Sequence, residues 1–194
     1  MQPLMVSDLM SLEQYARERP ALRARLIEHR RRRALPLGPH CTWSFEDRLT
    51  VQYQVQEMLR AERIFEPAGI AEELAAYNPL IPDGTNLKAT VMLEYPDAAE
   101  RAQRLSALRG FGARCWMQVV GFARVAAIAD EDLERENEEK TSAVHFVRFE
   151  FAAPMIAALK GGAALGAGVD HPEYRYEVEP LAPSLRQALL EDFG

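Results

Sequence analysis

One amphipathic segment, residues 45–65, constrains the fold more than any other part of the chain. Ser44 and Asp47 have the spacing of a capping box, and Pro67 and Gly69 follow the segment, as is typical of residues that end a helix. At about 100° per residue, one side of this helix carries an apolar stripe made of Val51, Val55, Met58, Leu59 and Phe65. The sequence therefore predicts a long helix, residues 46–65, that packs one face against a core.

Two charged residues, Arg48 and Glu62, fall within that apolar stripe. A charge on a core-facing surface is costly unless it is paired, and about 21 Å of helix separates these two from each other. Partners are available on a strand predicted at residues 143–151. We expect Glu62 to pair with Arg148, and Arg48 to be neutralised by Glu150.

Segments 87–95 and 143–151 alternate apolar and polar side chains with the period of two that is typical of half-buried strands. The order of predicted elements, α-α-β-α-α-β-α-β-β-α-β-α-β-α, lacks the even rhythm of a doubly wound parallel sheet. The sequence therefore predicts an α+β fold, with a mixed, mainly antiparallel sheet and helices largely on one face.

A helical arm, residues 1–37, is predicted to precede a single domain at residues 38–194. In the arm, a short helix ends near Arg19, and a second helix begins at Pro20. The second helix ends in four arginines, residues 30–33. Without interleaved aromatic residues, this run favours a solvated helix end beside acidic surface over a nucleic-acid contact.

The charge balance argues against a protein that coats nucleic acid. The net charge is −6; residues 1–63 carry 11 basic and 8 acidic side chains, and the rest of the chain carries 12 and 21. Cys41 and Cys115 are too few for a disulfide framework, so we expect reduced thiols in a cytoplasmic protein. No stretch approaches the 18 apolar residues of a membrane span.

Familiar catalytic motifs are missing from the sequence. The glycine-rich segment 160–168 lacks the GK[ST] ending of a phosphate-binding loop, and its glycines favour a helix cap and a close-packed strand. There is no GxSxG, HExxH or CxxC pattern. The acidic segment 130–140 is predicted to be a surface helix rather than a metal site.

A polar pocket is predicted between helix 46–65 and strand 143–151, where both elements carry polar side chains. A metal centre there would combine His145 with Glu57 or Glu62, with or without Glu94. The alternative, which we favour, is that His145 is a hydrogen-bonded core histidine and that Glu62 pairs with Arg148. The residues proposed to line the pocket are Gln52, Gln56, Glu57, Arg60, His145 and Arg148.

Several segments resemble a known family: residues 12–15, Gly38-Pro39, FEDRLTVQYQVQEMLRAERI, NPLIPDGTNLKATVMLEYPD, EKTSAVHFVRFEF and GVDHPEYRYEV. The chain is similar over essentially its whole length to the bacterial family called domain of unknown function 3501. The resemblance implies no assigned catalytic residue or cofactor. It implies a genomic association with rubrerythrin-like proteins and cysteine-rich iron–sulfur oxidoreductases, so one of these is an expected partner.

Two functions follow as hypotheses. The first is a non-catalytic accessory or binding protein that serves a redox or peroxide-stress partner, as the resemblance implies. The second is a metal-binding protein or enzyme whose site is the pocket between helix 46–65 and strand 143–151. We favour the first because the sequence contains no pre-assembled catalytic motif.

Overall fold

The computed structural model describes residues 2–131 and 139–194, and it confirms the α+β fold. Most of the predicted helix at 130–140 lies outside the described residues. The helices are α1 (Leu12–Arg31), α2 (Arg48–Glu62), α3 (Pro67–Tyr77), α4 (Ala98–Ala107), α5 (Ala153–Lys160) and α6 (Pro183–Leu190). The strands are β1 (Ala34–Pro36), β2 (Cys41–Phe45), β3 (Asn86–Leu93), β4 (Cys115–Val119), β5 (Val125–Ala126), β6 (Ile128–Ala129), β7 (Val144–Glu150), β8 (Leu165–His171) and β9 (Tyr174–Val178).

The described strands form two sheets, where the sequence predicts one mixed sheet. The first has the order β1-β2-β3-β7-β6 and the second the order β5-β4-β8-β9, and every pairing in both is antiparallel. Small residues on β8 allow close packing in the second sheet: a Cβ atom on Gly168 would lie 2.4 Å from the Trp116 ring. The boundary predicted at residue 37 stays a prediction; β1, just before it, is the first strand of the first sheet.

The main hydrophobic core contains buried residues from both sheets. Trp43 and Phe149 of the first sheet stack with ring centroids 5.4 Å apart, and Met117 and Leu165 of the second sheet belong to the same cluster. A separate cluster holds the apolar face of α2. Its buried members are Leu4, Val51, Val55, Leu59, Leu74 and Ile81. The apolar face of α2 therefore packs against α3 and the N-terminal segment.

Helix α2 is shorter at both ends than the predicted helix. Asp47 is its N-cap: the Asp47 carboxylate accepts a hydrogen bond from Thr50 N (2.9 Å), and Thr50 Oγ1 accepts one from Asp47 N (2.9 Å). Phe45 is not helical because it is the last residue of β2. Arg63 ends the helix with a left-handed φ of 57°, and Phe65 beyond it is 68% exposed, so its place in the apolar stripe was wrong.

Helix α1 runs through Pro20 without ending there, which corrects the prediction of two helices in the arm. A proline inside a helix removes one backbone hydrogen bond. Contacts on both sides of Pro20 hold the helix in place: Tyr15 and Arg19 bind Glu57 of α2, and Leu26 is buried. Packing against α2 therefore outweighs the local cost of the proline.

The last of the four arginines, Arg33, is buried rather than solvated, being only 2% exposed. Its guanidinium donates hydrogen bonds to three backbone carbonyls and ion-pairs with one buried carboxylate. The acceptors are Phe45 O (3.1 Å), Glu46 O (3.1 Å), Ala188 O (2.8 Å) and the Asp192 carboxylate. Arg33 thus links the end of the arm to the C-terminal helix. None of the helices formed by the described residues is long and apolar enough to cross a membrane.

Candidate functional site

The polar strip of α2 consists of Gln52, Gln56, Glu57 and Arg60, which are predicted to line the pocket. In the structure, this strip contacts the N-terminal segment and α1 instead. Gln56 is buried and uses both ends of its amide on Met10: its oxygen accepts from Met10 N (2.6 Å), and its nitrogen donates to Met10 O (3.4 Å). Gln52 donates to Asp8 O (2.5 Å). These two glutamines therefore satisfy backbone groups that approach them from a distant part of the sequence.

Glu57 is the centre of an ion-pair cluster between α1 and α2. Its carboxylate accepts hydrogen bonds from Arg19 Nε (2.7 Å), Arg19 Nη2 (2.8 Å) and the Tyr15 hydroxyl (2.7 Å), and Arg60 Nε lies 3.7 Å away. The bidentate bond from Arg19, more than any other contact, lowers the pKa of Glu57 to about 2. Glu57 thus joins α1 to α2, as Gln52 and Gln56 join the segment before α1 to the same helix, whereas Arg60 only lies beside Glu57 on α2.

The pairings expected for Arg48 and Glu62 are wrong. Arg48 Nη2 pairs with Asp8 Oδ2 (2.7 Å), again on the N-terminal segment. Glu150 instead accepts hydrogen bonds from Asn86 Nδ2 (2.9 Å) and from Arg148, its neighbour on β7. Glu62 is exposed, because α2 turns this position towards solvent. The expected charge ties between α2 and β7 are therefore absent from the described residues.

His145 lies on the face of β7 that is buried against the core, and it is 1% exposed. Its Nδ1 lies 2.6 Å from Asp130 Oδ2, and its Nε2 lies 3.1 Å from the Thr141 hydroxyl. Asp130 Oδ1 also accepts from Phe146 N (3.1 Å). The Asp130 carboxylate, the His145 imidazole and the Thr141 hydroxyl are connected in the order of a nucleophilic triad. Thr141 is only 2% exposed, however, so a substrate could not reach its hydroxyl. This geometry supports the favoured alternative, a hydrogen-bonded core histidine.

Arg148 projects from the opposite face of β7, because side chains alternate along a strand. Its guanidinium donates to both oxygens of Glu131 (2.9 and 2.8 Å) and to Glu150, and these bonds raise the pKa of Arg148. The six residues predicted to line one pocket therefore occupy three places: the arm interface, the core and the outer face of the first sheet.

A cavity of about 720 Å³ lies between α2, α3 and the outer face of the first sheet. This is where the sequence predicts a pocket, although Arg148 is the only one of the six predicted residues that lines it. Its apolar lining comes from Met58, Ala76, Tyr77, Pro79, Leu80, Ala89, Ile128, Phe146 and Val147. Its charged lining comes from Glu46, Glu73, Lys88, Glu131 and Arg148. A smaller cavity of about 160 Å³ lies between α1 and α2, and Gln52 and Gln56 contribute to its wall.

Lys88 stands opposite Arg148 in the register of β3 and β7. Its ammonium donates to Pro79 O (2.6 Å) and Ile81 O (2.9 Å), in the loop after α3. Partial burial lowers the pKa of Lys88, and the neighbouring Arg148 acts in the same direction. Lys88 thereby joins β3 to the loop after α3 in the wall of the cavity.

Two carboxylates of the cavity differ in how they are satisfied. Glu46 accepts hydrogen bonds from the Thr90 hydroxyl (2.6 Å) and the Thr50 hydroxyl (2.5 Å). Glu73 on α3 makes no hydrogen bond or ion pair with any side chain that the structure describes. Desolvation raises the pKa of Glu73, and the negative charges of Glu62 and Glu72 add to the effect. Glu73 is therefore a carboxylate without a compensating cation in a partly desolvated wall.

Sequence patterns point to only some of the residues that line the cavity. Lys88 occupies a polar position of the alternating strand, so its place on the outer face could be inferred, but its partners in the α3 loop could not. Nothing local distinguishes Glu73 from the adjacent Glu72. Glu73 differs from Glu72 because it lines the cavity, and that cavity forms only when α3 packs over the sheet.

Neither cysteine provides a reactive thiol. Both are buried and free. Burial raises the pKa of Cys41 to about 12 and raises that of Cys115 well above its ordinary value. Within residues 2–131 and 139–194, no group of three or more His, Cys, Asp or Glu side chains is placed to hold a metal ion. Glu94, suggested as a metal ligand, accepts a hydrogen bond from the Thr42 hydroxyl (2.6 Å).

Comparison with known proteins places the chain in a family. The model of a family described as "Protein of unknown function (DUF3501)" matches residues 3–193, so the chain belongs to that family. A crystal structure of a protein from Burkholderia pseudomallei K96243, described as a novel protein of unknown function, is 46% identical to this chain. The similarity covers 100% of both chains, with a TM-score of 0.94. No curated protein matches the chain.

Proposed function

We propose that this member of the DUF3501 family is a non-catalytic binding protein that holds a small amphipathic molecule between α2, α3 and the first sheet. The observation that carries the proposal is the cavity of about 720 Å³. Ligand sites are typically about 300–1,000 Å³ in volume, mostly apolar, with a few placed polar groups. The lining of this cavity, apolar side chains with five charged residues, has that character.

The chemistry of the remaining polar groups favours binding over catalysis. The imidazole of His145 and the hydroxyl of Thr141 are enclosed in the core. The polar strip of α2 is occupied by the N-terminal segment and α1. The thiolate is the reactive form of cysteine, and the raised pKa values of Cys41 and Cys115 leave little thiolate at neutral pH. These groups therefore stabilise the fold that forms the cavity.

The partner implied by the family resemblance is a rubrerythrin-like protein or an iron–sulfur oxidoreductase. Free thiols suit a reducing compartment such as the cytoplasm. Because the thiols of this chain are buried and protonated, electron transfer in such a complex would belong to the partner, and this protein would act as its accessory. Sedimentation of the purified protein with each type of partner tests this part of the proposal, and failure of both to associate would contradict it.

A neutral fluorescent probe tests the cavity itself. We expect N-phenyl-1-naphthylamine to bind saturably, with one molecule per chain and a blue-shifted emission, because the lining is mostly apolar. Ala76 lines the cavity from α3 and is exposed there, so Ala76→Phe places a ring at the opening of the cavity and should weaken binding at least about tenfold, which corresponds to about 1.4 kcal/mol. Ala75→Phe, on the same helix but outside the lining, is the matched control.

Two results would contradict the proposal. One is an absence of saturable probe binding to a protein whose circular dichroism shows that it is folded. The other is an equal loss of binding in Ala76→Phe and Ala75→Phe, which would place the probe outside the cavity.

A further inference from the structure

The two cations in the cavity wall are already paired with other groups of the protein. Three carboxylates and two cations line the cavity. Both cations already have partners: the Arg148 guanidinium binds Glu131 and Glu150, and the Lys88 ammonium binds two backbone carbonyls. An anionic ligand would have to displace these bonds before it could use either cation.

One of the three carboxylates in the cavity wall, that of Glu73, accepts no hydrogen bond from a described side chain. Glu131 is paired with Arg148, and Glu46 is satisfied by two threonine hydroxyls. Glu73 faces the cavity without a hydrogen bond or ion pair to any described side chain, and the nearby charges of Glu62 and Glu72 reinforce its negative potential. A half-buried carboxylate in such a field gains most from a cation brought in by a ligand.

Apolar and aromatic side chains lie within the same cavity as Glu73. Tyr77 follows Glu73 by one helical turn on α3, so the two residues are on one face of that helix. Phe146 contributes an aromatic ring from the sheet, and Met58 and Leu80 also line the cavity. An aromatic ring attracts a cation held over its face, and apolar side chains favour a hydrocarbon body.

We propose that the cavity selects a cationic amphiphile: an organic amine whose ammonium pairs with Glu73 and whose apolar body lies among Met58, Tyr77, Leu80 and Phe146. This inference rests on the proposed function, since it assigns the chemical class of the ligand to the same cavity. Neutral molecules of the same shape bind more weakly, and organic anions are rejected.

Three molecules that share one apolar body test the charge preference. 4-Phenylbutylamine is a cation at pH 7, 4-phenylbutan-1-ol is neutral and 5-phenylvalerate is an anion, and each has four methylenes between the ring and the polar group. Each is titrated against the protein loaded with N-phenyl-1-naphthylamine, and displacement is measured. We expect the amine to bind about five- to tenfold more tightly than the alcohol, because a charge-assisted hydrogen bond to Glu73 replaces a neutral one, and the valerate to bind most weakly.

Two variants on α3 test whether Glu73 causes the preference for the amine over the alcohol. Glu73→Gln should remove the advantage of the amine over the alcohol, measured as the ratio of their two displacement constants within the variant, so that a change in probe affinity affects both molecules alike. Glu72→Gln removes a neighbouring carboxylate that does not line the cavity, and it should retain most of the advantage.

The outcomes separate the two proposals. If the neutral probe binds but the three molecules bind equally, or if Glu73→Gln keeps the amine preference, the inference about charge is wrong and the binding function stands. If the anion binds most tightly, Lys88 and Arg148 control selection and the inference is overturned. If the neutral probe itself fails to bind, the proposed function fails, and the inference fails with it.

Discussion

Replacing Arg33 by methionine removes the most extensively bonded buried cation among the described residues. The guanidinium contacts three backbone carbonyls and the carboxylate of Asp192, and its Nε lies 3.6 Å from Asp47 Oδ2. Methionine is similar in length and can fill the space, so packing is largely retained. The variant therefore isolates the electrostatic and hydrogen-bonding role of Arg33.

The expected cost follows from what the substitution leaves behind. Asp192 is 2% exposed, and burial raises the pKa of its carboxyl to about 6 despite the opposing influence of Arg33. Without the guanidinium, that carboxyl loses its counter-ion and the carbonyls of Phe45 and Ala188 lose a donor. Removing one partner of a buried ion pair costs about 3–5 kcal/mol. For a chain of this length, that lowers the melting temperature by roughly 6–20 °C.

Urea denaturation followed by circular dichroism measures this cost, through the linear dependence of the free energy of unfolding on urea. Arg32→Met is the matched control, since Arg32 is the preceding residue and is exposed. We expect the control to change the free energy of unfolding by less than about 0.5 kcal/mol. If Arg33→Met cost no more than Arg32→Met, the reasoning about the buried arginine would be refuted.

Two further predictions concern the titratable groups. The pKa of Glu57 is lowered to about 2 from 4.5, so its stabilisation is full above pH 4.5 and is lost as the pH falls towards 2. Glu57→Gln should therefore lower the free energy of unfolding by about 1–3 kcal/mol at pH 7 and by much less at pH 2.5. The control, Glu18→Gln, changes an exposed carboxylate and should have little effect at either pH. An equal loss of stability in Glu57→Gln at both pH values would contradict this prediction. Burial raises the pKa of the Cys41 and Cys115 thiols, so iodoacetamide at pH 8 should modify both at least about a hundredfold more slowly in the native protein than in urea. Mass spectrometry measures the two rates, and equal rates would contradict this prediction.

Local periodicity was enough to predict the central strands. The alternation of residues 87–95 and 143–151 corresponds to β3 and β7, whose side chains alternate between core and outer face. Val51, Val55 and Leu59 of the apolar stripe of α2 are buried as predicted. These features depend on neighbours one or two turns away, which a single sequence displays directly.

Long-range partners could not be predicted in the same way. A helical wheel shows that Gln52, Gln56 and Glu57 share a polar face, but not that the arm covers this face. Four consecutive arginines look alike in sequence, yet Arg33 alone is buried, since the chain leaves α1 at that point and enters β1. The predicted pairing of Arg48 with Glu150 is wrong for the same reason. In the tertiary structure Arg48 pairs with Asp8, and Glu150 pairs with Arg148.

The most direct test of the binding site is a crystal structure of the protein with 4-phenylbutylamine, added near the concentration at which it displaces the neutral probe. We predict that its nitrogen lies about 3 Å from a carboxylate oxygen of Glu73 and that its ring lies between Tyr77 and Phe146. Electron density for the amine elsewhere on the protein, with the cavity between α2, α3 and the first sheet unfilled, would contradict the account.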